Sequence, residues 1–583
     1  MKKLVILALL LLFTEAYSNY TTPGTGLNWN LDSLVTYSSG NVTFSAGNYF
    51  VNDTITISVS DTVKVLTNAT MKFGTGVFID IFGVLIINPP DSARITAQDT
   101  SLKFLGLKFE DFSEGSILKN LIFEYGNAIR MLDCSILIDN CTIRFNTLNS
   151  TFSSGAVSFF RSNTIVSNCR IYRNRRAAIV SGANIASSPQ ILNNHIYEND
   201  IDNANVPQIN FGATGAAPMI IRGNIITGGP IMSGGISFLP IGSIPNAIIE
   251  NNIIKKNRYG IAIAGGSSNF YINNNIIDSN NIQGSPTLGG SGINFNGAAT
   301  QKSVITRNLI RGNLWGITIQ QTAKPNLGDL TSTDTSDAGM NQIYNNGNSG
   351  KIFDLFNNTP DSIKAENNYW GTTNIDSVEA HIFHKPDSTV LGFVDYIPLR
   401  AVNLDVKVLM EGMYDPVLNI LARKDSVTVY LHDAFAPYSV KDSATGSIDT
   451  ISFMGNFKFY NVPAGQYYIV VKHFNTIMTW SKAGGEQLTA NNTNLIYDFT
   501  GSVTQAFGNN MAVVGSKATM YSGDIDQNGF IEATDLSLVD NDAFNFATGI
   551  RLSTDLNADD IVDGNDFALI DNNAANFIGV AAP

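Results

Sequence analysis

The chain has 583 residues, of which 44% are hydrophobic and only 15% are charged, and its formal net charge is −13. Residues 522–583 carry most of this imbalance, with twelve acidic side chains and one basic one. Because no segment has the dense basic surface that a phosphate backbone requires, nucleic acid is excluded as a partner. The length is ample for several domains, each with its own core.

The first eighteen residues have the three parts of a secretory signal peptide. Lys2 and Lys3 precede an apolar run over residues 4–13, and Ala16 and Ser18 mark a small-residue cleavage site. This pattern predicts that residues 1–18 are removed on export. Because the apolar run is too short to span a membrane stably and no second run follows, we expect no transmembrane segment and a secreted, extracellular or cell-surface protein.

Residues 117–371, within a solenoid predicted over residues 45–400, repeat one short phrase, in which an aliphatic residue is followed three positions later by Asn and two positions after that by Ile. Clear copies are residues 191–199, 249–257 and 272–280, and successive copies lie 21 to 33 residues apart. The apolar residues alternate within short segments, which is the spacing of strands. Stacked coils of two dozen residues, each with three short strands, form a parallel β-helix. The Asn position and its equivalents form this predicted column: Asn120, Cys141, Cys169, Asn194, Asn224, Asn252, Asn275, Asn308, Asn341 and Asn368.

Two roles are expected for the Asn column. Asn tolerates left-handed backbone geometry, so it can turn the chain between strands. Its amide can also pair with the Asn of the next coil in a buried ladder. Cys134, Cys141 and Cys169 are too few for a disulfide framework. Cys141 and Cys169 occupy adjacent coils, where they either pair or, as we favour, remain buried thiols.

The whole pattern resembles the right-handed parallel β-helix (pectin-lyase-like) repeats of secreted bacterial proteins. Residues 367–371 look like the closing coil of those proteins. The resemblance implies the right-handed sense of the solenoid. It also implies a link to polysaccharides, since pectate lyases, polygalacturonases and many non-enzymes share the fold. The motifs of polygalacturonases are missing from the solenoid sequence, and no acidic cluster of the pectate lyase kind is evident there.

Residues 403–520 change to strands of an antiparallel type. Residues 427–431 alternate, and the strands at 457–460 and 467–472 flank a Pro/Gly loop, which predicts a hairpin within a small β-sandwich. This run resembles carboxypeptidase-regulatory-like modules, and a spacer role is favoured.

Residues 522–583 contain two loops with oxygen ligands at alternating positions, and amphipathic segments after them predict helices over residues 535–546 and 566–577. Hard Ca²⁺ prefers six to eight oxygen ligands, and a tight loop of this kind directs them at one ion. The tandem loops resemble the dockerin type I domain, which implies bound Ca²⁺ and a possible cohesin-type partner. Asp560 stands at the sixth loop position, where Gly is usual. The predicted ligands are Asp524, Asp526, Asn528, Phe530, Asp535, Asp555, Asn557, Asp559, Ile561 and Asp566.

A column of outward residues, three positions after the Asn column, is the candidate contact face of the solenoid. Tyr and Arg from adjacent coils could bind sugar rings by stacking and by forked hydrogen bonds. The alternatives are a solvated face with cross-coil ion pairs, or a lyase site with Lys255 or Arg173 as base. The predicted substrate-binding residues are Arg144, Tyr172, Arg173, Tyr197, Lys255, Lys256, Arg311 and Tyr344.

The sequence therefore predicts an all-β fold with a right-handed parallel β-helix, a small β-sandwich and a small α-helical dockerin-like domain. The predicted function is a secreted calcium-binding protein that binds polysaccharide or cell-surface glycan without catalysis. The alternative is a carbohydrate-active enzyme, a polysaccharide lyase before a glycoside hydrolase, attached through its dockerin-like domain.

Overall fold

The computed structural model describes residues 19–147, 154–241, 245–372, 374–459, 462, 465–488 and 495–583. The predicted signal peptide and most of the Pro/Gly loop of the predicted hairpin lie outside these residues. The chain divides into two compact units, Met1–Gly371 with Ile375–Pro398, and Thr372–Asn374 with Leu399–Pro583. In the part of the chain described here, every helix is too short or too polar to cross a bilayer.

The first unit is a solenoid of three long sheets, and from Ile55 to Arg311 each coil contributes one strand to each sheet in the order sheet 1, sheet 2, sheet 3. Sheet 1 contains Tyr20–Thr21, Ile55–Ile57, Phe78–Ile81, Phe104–Phe109, Gly126–Leu132, Gly155–Phe160, Ala177–Ser181, Ile209–Phe211, Ile236–Phe238, Ile261–Gly265, Ser291–Gly297, Trp315–Gln321, Leu355–Asn358 and Ile382–Phe383. Sheet 2 contains Asn28–Trp29, Thr62–Val65, Val84–Ile87, Ile117–Lys119, Leu137–Asp139, Ile165–Ser167, Gln190–Leu192, Met219–Arg222, Asn246–Glu250, Ser268–Asn273 and Gln301–Thr306. Sheet 3 contains Val42–Ser45, Asn48–Val51, Ala69–Phe73, Ala93–Ala97, Leu121–Glu124, Thr142–Arg144, Arg170–Tyr172, His195–Tyr197, Ile225–Thr227, Ile253–Lys255, Ile276–Asp278, Leu309–Arg311 and Gln342–Tyr344.

Neighbouring coils pair in parallel, and only the hairpin of Val42–Ser45 with Asn48–Val51 departs from this within the three sheets. The inward isoleucines of sheet 3 stack one above another, for example Ile171 on Ile196 and Ile196 on Ile226. These side chains are 0% exposed. Burying each one contributes on the order of 1.5–3 kcal/mol. The predicted parallel β-helix is therefore confirmed.

The Asn column is a buried hydrogen-bonded ladder. The side-chain amide of Asn224 donates to Oδ1 of Asn252 at 2.9 Å, and Asn252 donates in the same way to Asn275 at 2.9 Å. The ladder runs from Asn194 to Asn368. Left-handed backbone occurs one residue earlier, for example at Asn251 with φ 57°. The two roles expected for one Asn are thus divided between two adjacent positions.

Two members of the predicted register were wrong. Ile143 pairs with Phe123, so Leu121 and not Asn120 lies opposite Cys141. Asn120 instead has φ 54° and occupies the left-handed turn. Before Asn341 the inward position belongs to the fully buried Leu327, because the chain loops out between that residue and Asn341. At residues 120 and 121 the Asn that matches the phrase lies in the turn and Leu121 takes the inward position, so the residue pattern alone led to the wrong register.

A second ladder lies five residues after the first and was not recognised as a ladder in the sequence. In it Asn257 donates to Asn280 at 3.0 Å, Asn280 to Asn313 at 3.2 Å, and Asn313 to Asn346 at 2.9 Å. Cys141 and Cys169 are free buried thiols, as favoured above. The Cys141 amide donates to Sγ of Cys169 at 3.4 Å, so the thiols continue the first ladder.

Both ends of the solenoid carry atypical elements. The coil begins earlier than residue 45, because Tyr20–Thr21 and Asn28–Trp29 already pair with the second coil. Helix α1 (Leu31–Tyr37) follows them, with the Asn30 side chain as its N-cap. At the other end, helix α2 (Ile375–His381) and the pairs Ile363–Lys364 with Val394–Asp395 and Gly347–Asn348 with Lys351–Ile352 complete the unit.

The second unit begins with two sheets around a common core, paired in an antiparallel sense except between Val402–Lys407 and Leu495–Asp498, which are parallel. The predicted hairpin is wrong, because Met454–Phe459 and Gly465–Lys472 lie in different sheets. One sheet contains Val402–Lys407, Met454–Phe459 and Leu495–Asp498, and another contains Asp425–Asp433, Val440–Ile448, Gly465–Lys472, Thr479–Trp480 and Glu486–Leu488. Short pairs join Tyr414–Asp415 with Ile420–Leu421 and Ala512–Val514 with Lys517–Thr519. Leu404, Phe457, Val429 and Ile469 share one buried core. Helices α3 (Ala533–Phe544) and α4 (Gly564–Ala575) complete the unit.

Candidate calcium loops and carbohydrate-binding face

The first acidic loop, residues 524–535, brings three carboxylates to one point. Ligand oxygens of Asp524, Asp526 and Asp535 lie within 4.8 Å of one another. The Asp535 carboxylate accepts hydrogen bonds from the amides of Ile525 at 2.7 Å and Glu532 at 3.1 Å. These bonds tie the end of the loop to its beginning. Helix α3 begins at Ala533, two residues before the predicted start at residue 535. The Asp535 carboxylate is therefore held in place by the backbone of its own loop.

Asp524 has the environment of a metal ligand. It is 2% exposed, and its Oδ1 is buried without a hydrogen-bond partner. Burial, followed by the charges of Asp535 and Asp526, raises the pKa of Asp524 to about 6. A buried oxygen that lacks a donor and faces two further carboxylates is stabilised by a hard cation, so these residues fit Ca²⁺. Asn528 orders the middle of the loop, because its Oδ1 accepts the Phe530 amide at 2.9 Å.

The second acidic loop, residues 555–566, repeats this backbone. Asp566 accepts the amides of Leu556 at 2.7 Å and Asp563 at 2.9 Å, as Asp535 does in the first loop. Oδ1 of Asn557 accepts the Asp559 amide at 2.9 Å. Asp560 has φ 69°, so an Asp adopts the left-handed position where Gly is usual. The seventh residues of the two loops, Phe530 and Ile561, each form an isolated antiparallel bridge, with Gly579 and Thr548 respectively.

The two loops differ at their first residue. Asp555 is fully buried like Asp524, but its Oδ1 accepts the Ala558 amide at 2.8 Å and its Oδ2 accepts the Asp560 amide at 3.1 Å. Nη1 of Arg423, from the β-sandwich, lies 3.5 Å from Asp555 Oδ2 and 3.3 Å from Asp560 Oδ1. Among the described residues, no ion pair joins a basic side chain to Asp524, Asp526 or Asp535 of the first loop.

On the solenoid, the predicted outward column lies on sheet 3 and is continuous. Strand pairing places its members opposite one another in the order Arg144, Tyr172, Tyr197, Thr227, Lys255, Asp278, Arg311 and Tyr344. Arg173 and Lys256 each follow a column residue, and both have left-handed backbone, with φ 52° and 54°. They therefore lie at the turn that leaves sheet 3.

Tyr172 and Tyr197 form the centre of this column. Their rings stack with centroids 4.8 Å apart and planes 6° apart. Arg144 donates to the Tyr172 hydroxyl at 2.9 Å, and Arg170 donates to the Tyr197 hydroxyl at 3.1 Å. Because the rings stack on each other, the column offers ring edges, hydroxyl groups and guanidinium groups to a ligand more than free ring faces.

Several charged residues of the column are paired across coils, as the solvated-face alternative expects. Arg173 contacts Glu198 at 2.7 Å, and Arg311 contacts Asp278 at 3.0 Å. The hydrogen bond that Arg173 donates to the Glu198 carboxylate raises the pKa of Arg173, so this guanidinium is unsuited to act as a base. Lys255 is exposed and lies between Thr227 and Asp278 in the column.

The column continues into a groove that the sequence analysis missed. Register places Lys72, Thr96 and Glu124 in line with Arg144. Glu124 is 3% exposed and accepts from both Arg94 at 2.9 Å and Arg144 at 2.8 Å. The groove, about 580 Å³, is lined by Thr70, Lys72, Arg94, Thr96, Ala97, Gln98, Thr100, Glu124, Tyr125 and Arg144. The early coils lack the Asn phrase, so the column could not be extended to them from the repeat alone.

A second groove, of about 480 Å³, lies along sheet 1 and was also not foreseen. Asn294 and Thr318 are opposite each other on neighbouring strands, and Phe356 follows on the next strand. Trp315 lies beside Phe356, with ring centroids 5.0 Å apart, and its indole nitrogen donates to the Pro286 carbonyl at 3.0 Å. This groove combines aromatic and amide side chains with a single cationic residue, Arg258.

Residues 95–239 match the family model described as right handed beta helix region. No curated protein sequence matches the chain. Among solved structures, the periplasmic alginate epimerase AlgG is 12% identical, with coverage of 64% of this chain and 82% of the epimerase and a TM-score of 0.37. The A-module of the Azotobacter vinelandii mannuronan C-5 epimerase AlgE4 is 11% identical, with coverage of 52% and 82% and a TM-score of 0.29. A cohesin–X–dockerin complex from Acetivibrio cellulolyticus is 16% identical, with coverage of 31% and 97% and a TM-score of 0.20. The handedness expected for the solenoid thus agrees with the family model that matches its central coils.

Proposed function

We propose that this is an exported calcium-binding protein whose solenoid binds polysaccharide or cell-surface glycan without catalysis. The observation that carries the proposal is the unbroken line of polar side chains on sheet 3, from the groove at Lys72 and Arg94 through Arg144 to the stacked pair Tyr172 and Tyr197. A carbohydrate chain is an extended ligand with many hydroxyl groups, and this face supplies donors in a line along the axis of the solenoid.

The charge of the groove favours acidic sugars. Lys72, Arg94 and Arg144 outnumber the single carboxylate, Glu124, which both arginines share. A guanidinium presents a planar fork of donors that matches a carboxylate, so a uronate residue fits this site better than a neutral sugar. Each such solvent-exposed contact contributes on the order of 1 kcal/mol, so affinity requires several coils to act together.

Catalysis is less well supported on this face. Arg173, one of the two candidate bases, is held as a cation by Glu198. Among the described residues, the one group of three acidic or histidine side chains that converges on a point lies in the first acidic loop. The described part of the solenoid contains no such group. A lyase would require a base and a charge acceptor close together, and among the ion pairs of the described residues none involves Lys255, whose column neighbours are Thr227 and Asp278.

The tail is proposed to bind Ca²⁺ at both loops and to attach the protein to a cohesin-type partner. Phe546 and Phe577 occupy equivalent positions after the two loops and are 75% and 88% exposed. Phe544 and Ile550 are 83% and 82% exposed as well. Large apolar side chains left open to solvent in this number are typical of a protein-binding surface. Export through residues 1–18 places both functions outside the cell.

Binding is tested by affinity electrophoresis of the full chain in gels that contain a uronate polymer or a neutral glucan. We expect retardation by the uronate polymer, lost in the double variant Lys72→Ala/Tyr197→Ala and retained in the matched control Trp315→Ala on sheet 1. Loss only in the control would move the site to sheet 1. Ultraviolet-absorbing unsaturated product from the uronate polymer, abolished by Lys255→Ala, would establish the lyase alternative instead.

A further inference from the structure

We propose that Arg423 of the β-sandwich is a built-in counter-ion for the second acidic loop, so that this loop binds Ca²⁺ more weakly than the first. The inference rests on the proposed calcium function of the tail. It assigns a role to a residue that lies 132 positions before Asp555 in the chain.

Arg423 contacts the second loop at Asp555, the first predicted Ca²⁺ ligand of that loop. Its Nη1 lies 3.5 Å from Asp555 Oδ2 and 3.3 Å from Asp560 Oδ1. Its Nε lies 3.4 Å from Oδ2 of Asp425, on the same sheet of the sandwich. The side chain is only 18% exposed, and its Nη2 is buried without a partner. A guanidinium held in this way is a fixed positive charge at the loop.

The backbone around Arg423 is packed tightly against the second loop. A Cβ atom built on Gly412 would lie 2.3 Å from the carbonyl oxygen of Leu556, so the sandwich approaches the loop as closely as glycine allows. The Asn475 side chain donates to the Asp555 carbonyl at 3.2 Å. Arg423 is thus positioned by a formed interface, and it cannot swing far from the loop without breaking these contacts.

The first loop provides the comparison within the same chain. Asp524 and Asp555 are equivalent and both buried, but only Asp555 has a guanidinium against it. In Asp524 the Oδ1 atom has no donor. Asp560, which replaces the usual Gly, adds the second carboxylate that holds Arg423 in place. The same contact therefore stabilises the second loop without Ca²⁺ and opposes Ca²⁺ when it binds.

The experiment is calcium titration of the full chain by isothermal calorimetry, together with melting in the presence of a chelator. For the wild-type protein we expect two classes of site. Arg423→Gln should tighten the weaker site about tenfold, because repulsion between a single and a double positive charge is removed. The same variant should lower the melting temperature without Ca²⁺ by about 2–4 °C, since the loop loses its counter-ion. Arg423→Lys keeps the charge and should leave the weaker site within twofold of wild type.

Two further variants separate charge from packing. Arg423→Met retains the aliphatic stem and is measured in parallel, so that a folding defect of one variant does not decide the outcome. Arg551→Gln is the matched control: Arg551 pairs with Asp425 at 2.7 Å and with Ser426, without contact to the second loop. It should not change the weaker site by more than twofold.

The inference is overturned if the wild-type sites have equal affinity, or if Arg423→Gln and Arg423→Met weaken the second site or leave it unchanged. It is also overturned if Arg423→Lys tightens the site as much as Arg423→Gln, because charge would then not be the cause. Absence of any saturable Ca²⁺ binding to the wild-type protein is a different result, since it refutes the proposed calcium function itself.

Discussion

Replacement of one ladder residue, Asn252→Ala, tests the physical basis of the solenoid. Asn252 is 1% exposed and takes part in four side-chain hydrogen bonds of close to ideal length. Its Oδ1 accepts from the backbone and side-chain amides of Asn224, both at 2.9 Å, and its Nδ2 donates to Ile221 O and to Asn275 Oδ1, also at 2.9 Å. Alanine removes all four at once.

The magnitude follows from the groups that are left behind. The Asn224 amide loses its acceptor in a buried position, whereas the Asn224 side chain still donates to Ile191 O at 2.9 Å. Each buried group without a partner costs about 1–3 kcal/mol, and a small cavity adds to this. We therefore expect a loss of about 3–5 kcal/mol. The adjacent control, Asn251→Ala, loses an exposed side chain at φ 57° whose Oδ1 accepts one solvent-exposed hydrogen bond from Asn274 at 2.6 Å, and it should cost about 1 kcal/mol.

The assay is urea denaturation of the full chain, followed by far-ultraviolet circular dichroism and compared as shifts of the first-unit transition midpoint. The midpoint for Asn252→Ala should fall well below that for Asn251→Ala. Equal midpoints for the two variants would show that the ladder amides are not a source of stability and would refute the reasoning.

Three further outcomes are expected. Burial and then the charge of Arg175 lower the pKa of Lys103 to about 8 from 10.5, so the folded state favours the neutral amine. The free energy of unfolding, relative to that of Lys103→Met, should therefore rise by about 1 kcal/mol, after discounting for solvent screening, as pH increases from about 8 to about 10.5. A difference between the two proteins that does not change with pH would contradict this. Removal of Ca²⁺ with a chelator should expose residues 522–583 to limited proteolysis, and Asp524→Ala/Asp555→Ala, which removes the first predicted ligand of both loops, should be cleaved equally with and without Ca²⁺; a tail equally resistant in both conditions would argue against a calcium-dependent fold. Alkylation of the denatured, unreduced protein should modify Cys134, Cys141 and Cys169, since all three are free, and mass spectrometry that finds only one modified thiol would contradict this.

The solenoid could be predicted because the residues that specify each coil lie close together in the sequence. An Ile at the same place in each coil, such as Ile196 or Ile254, carries the strand signal, and the Asn two residues earlier is the ladder residue that follows the turn. The predicted register was wrong at Asn120, where the Asn of the phrase lies in the turn and the next residue takes the inward position. It was also wrong before Asn341, where a loop replaces part of a coil. In each case pairing between strands of neighbouring coils determined the position of the residue. The spacing of residues in the sequence does not specify that pairing.

The candidate sites divide in the same way. The ligand spacing of the acidic loops is contiguous, so Asp524 and Asp535 could be named from the sequence. The start of helix α3 was predicted two residues late, because Asp535 also caps the helix. Arg423 lies far from the loop that it contacts, and only tertiary structure brings them together. The groove at Lys72 was missed because its coils lack the repeated phrase.

The most direct test of the account is a crystal structure of the full chain with a uronate oligosaccharide. We predict that the ligand lies along sheet 3, with a carboxylate within hydrogen-bond distance of Arg94 or Arg144 and further sugar units beside Tyr172 and Tyr197. An oligosaccharide bound beside Trp315 on sheet 1, or absent from the solenoid under saturating conditions, would contradict it.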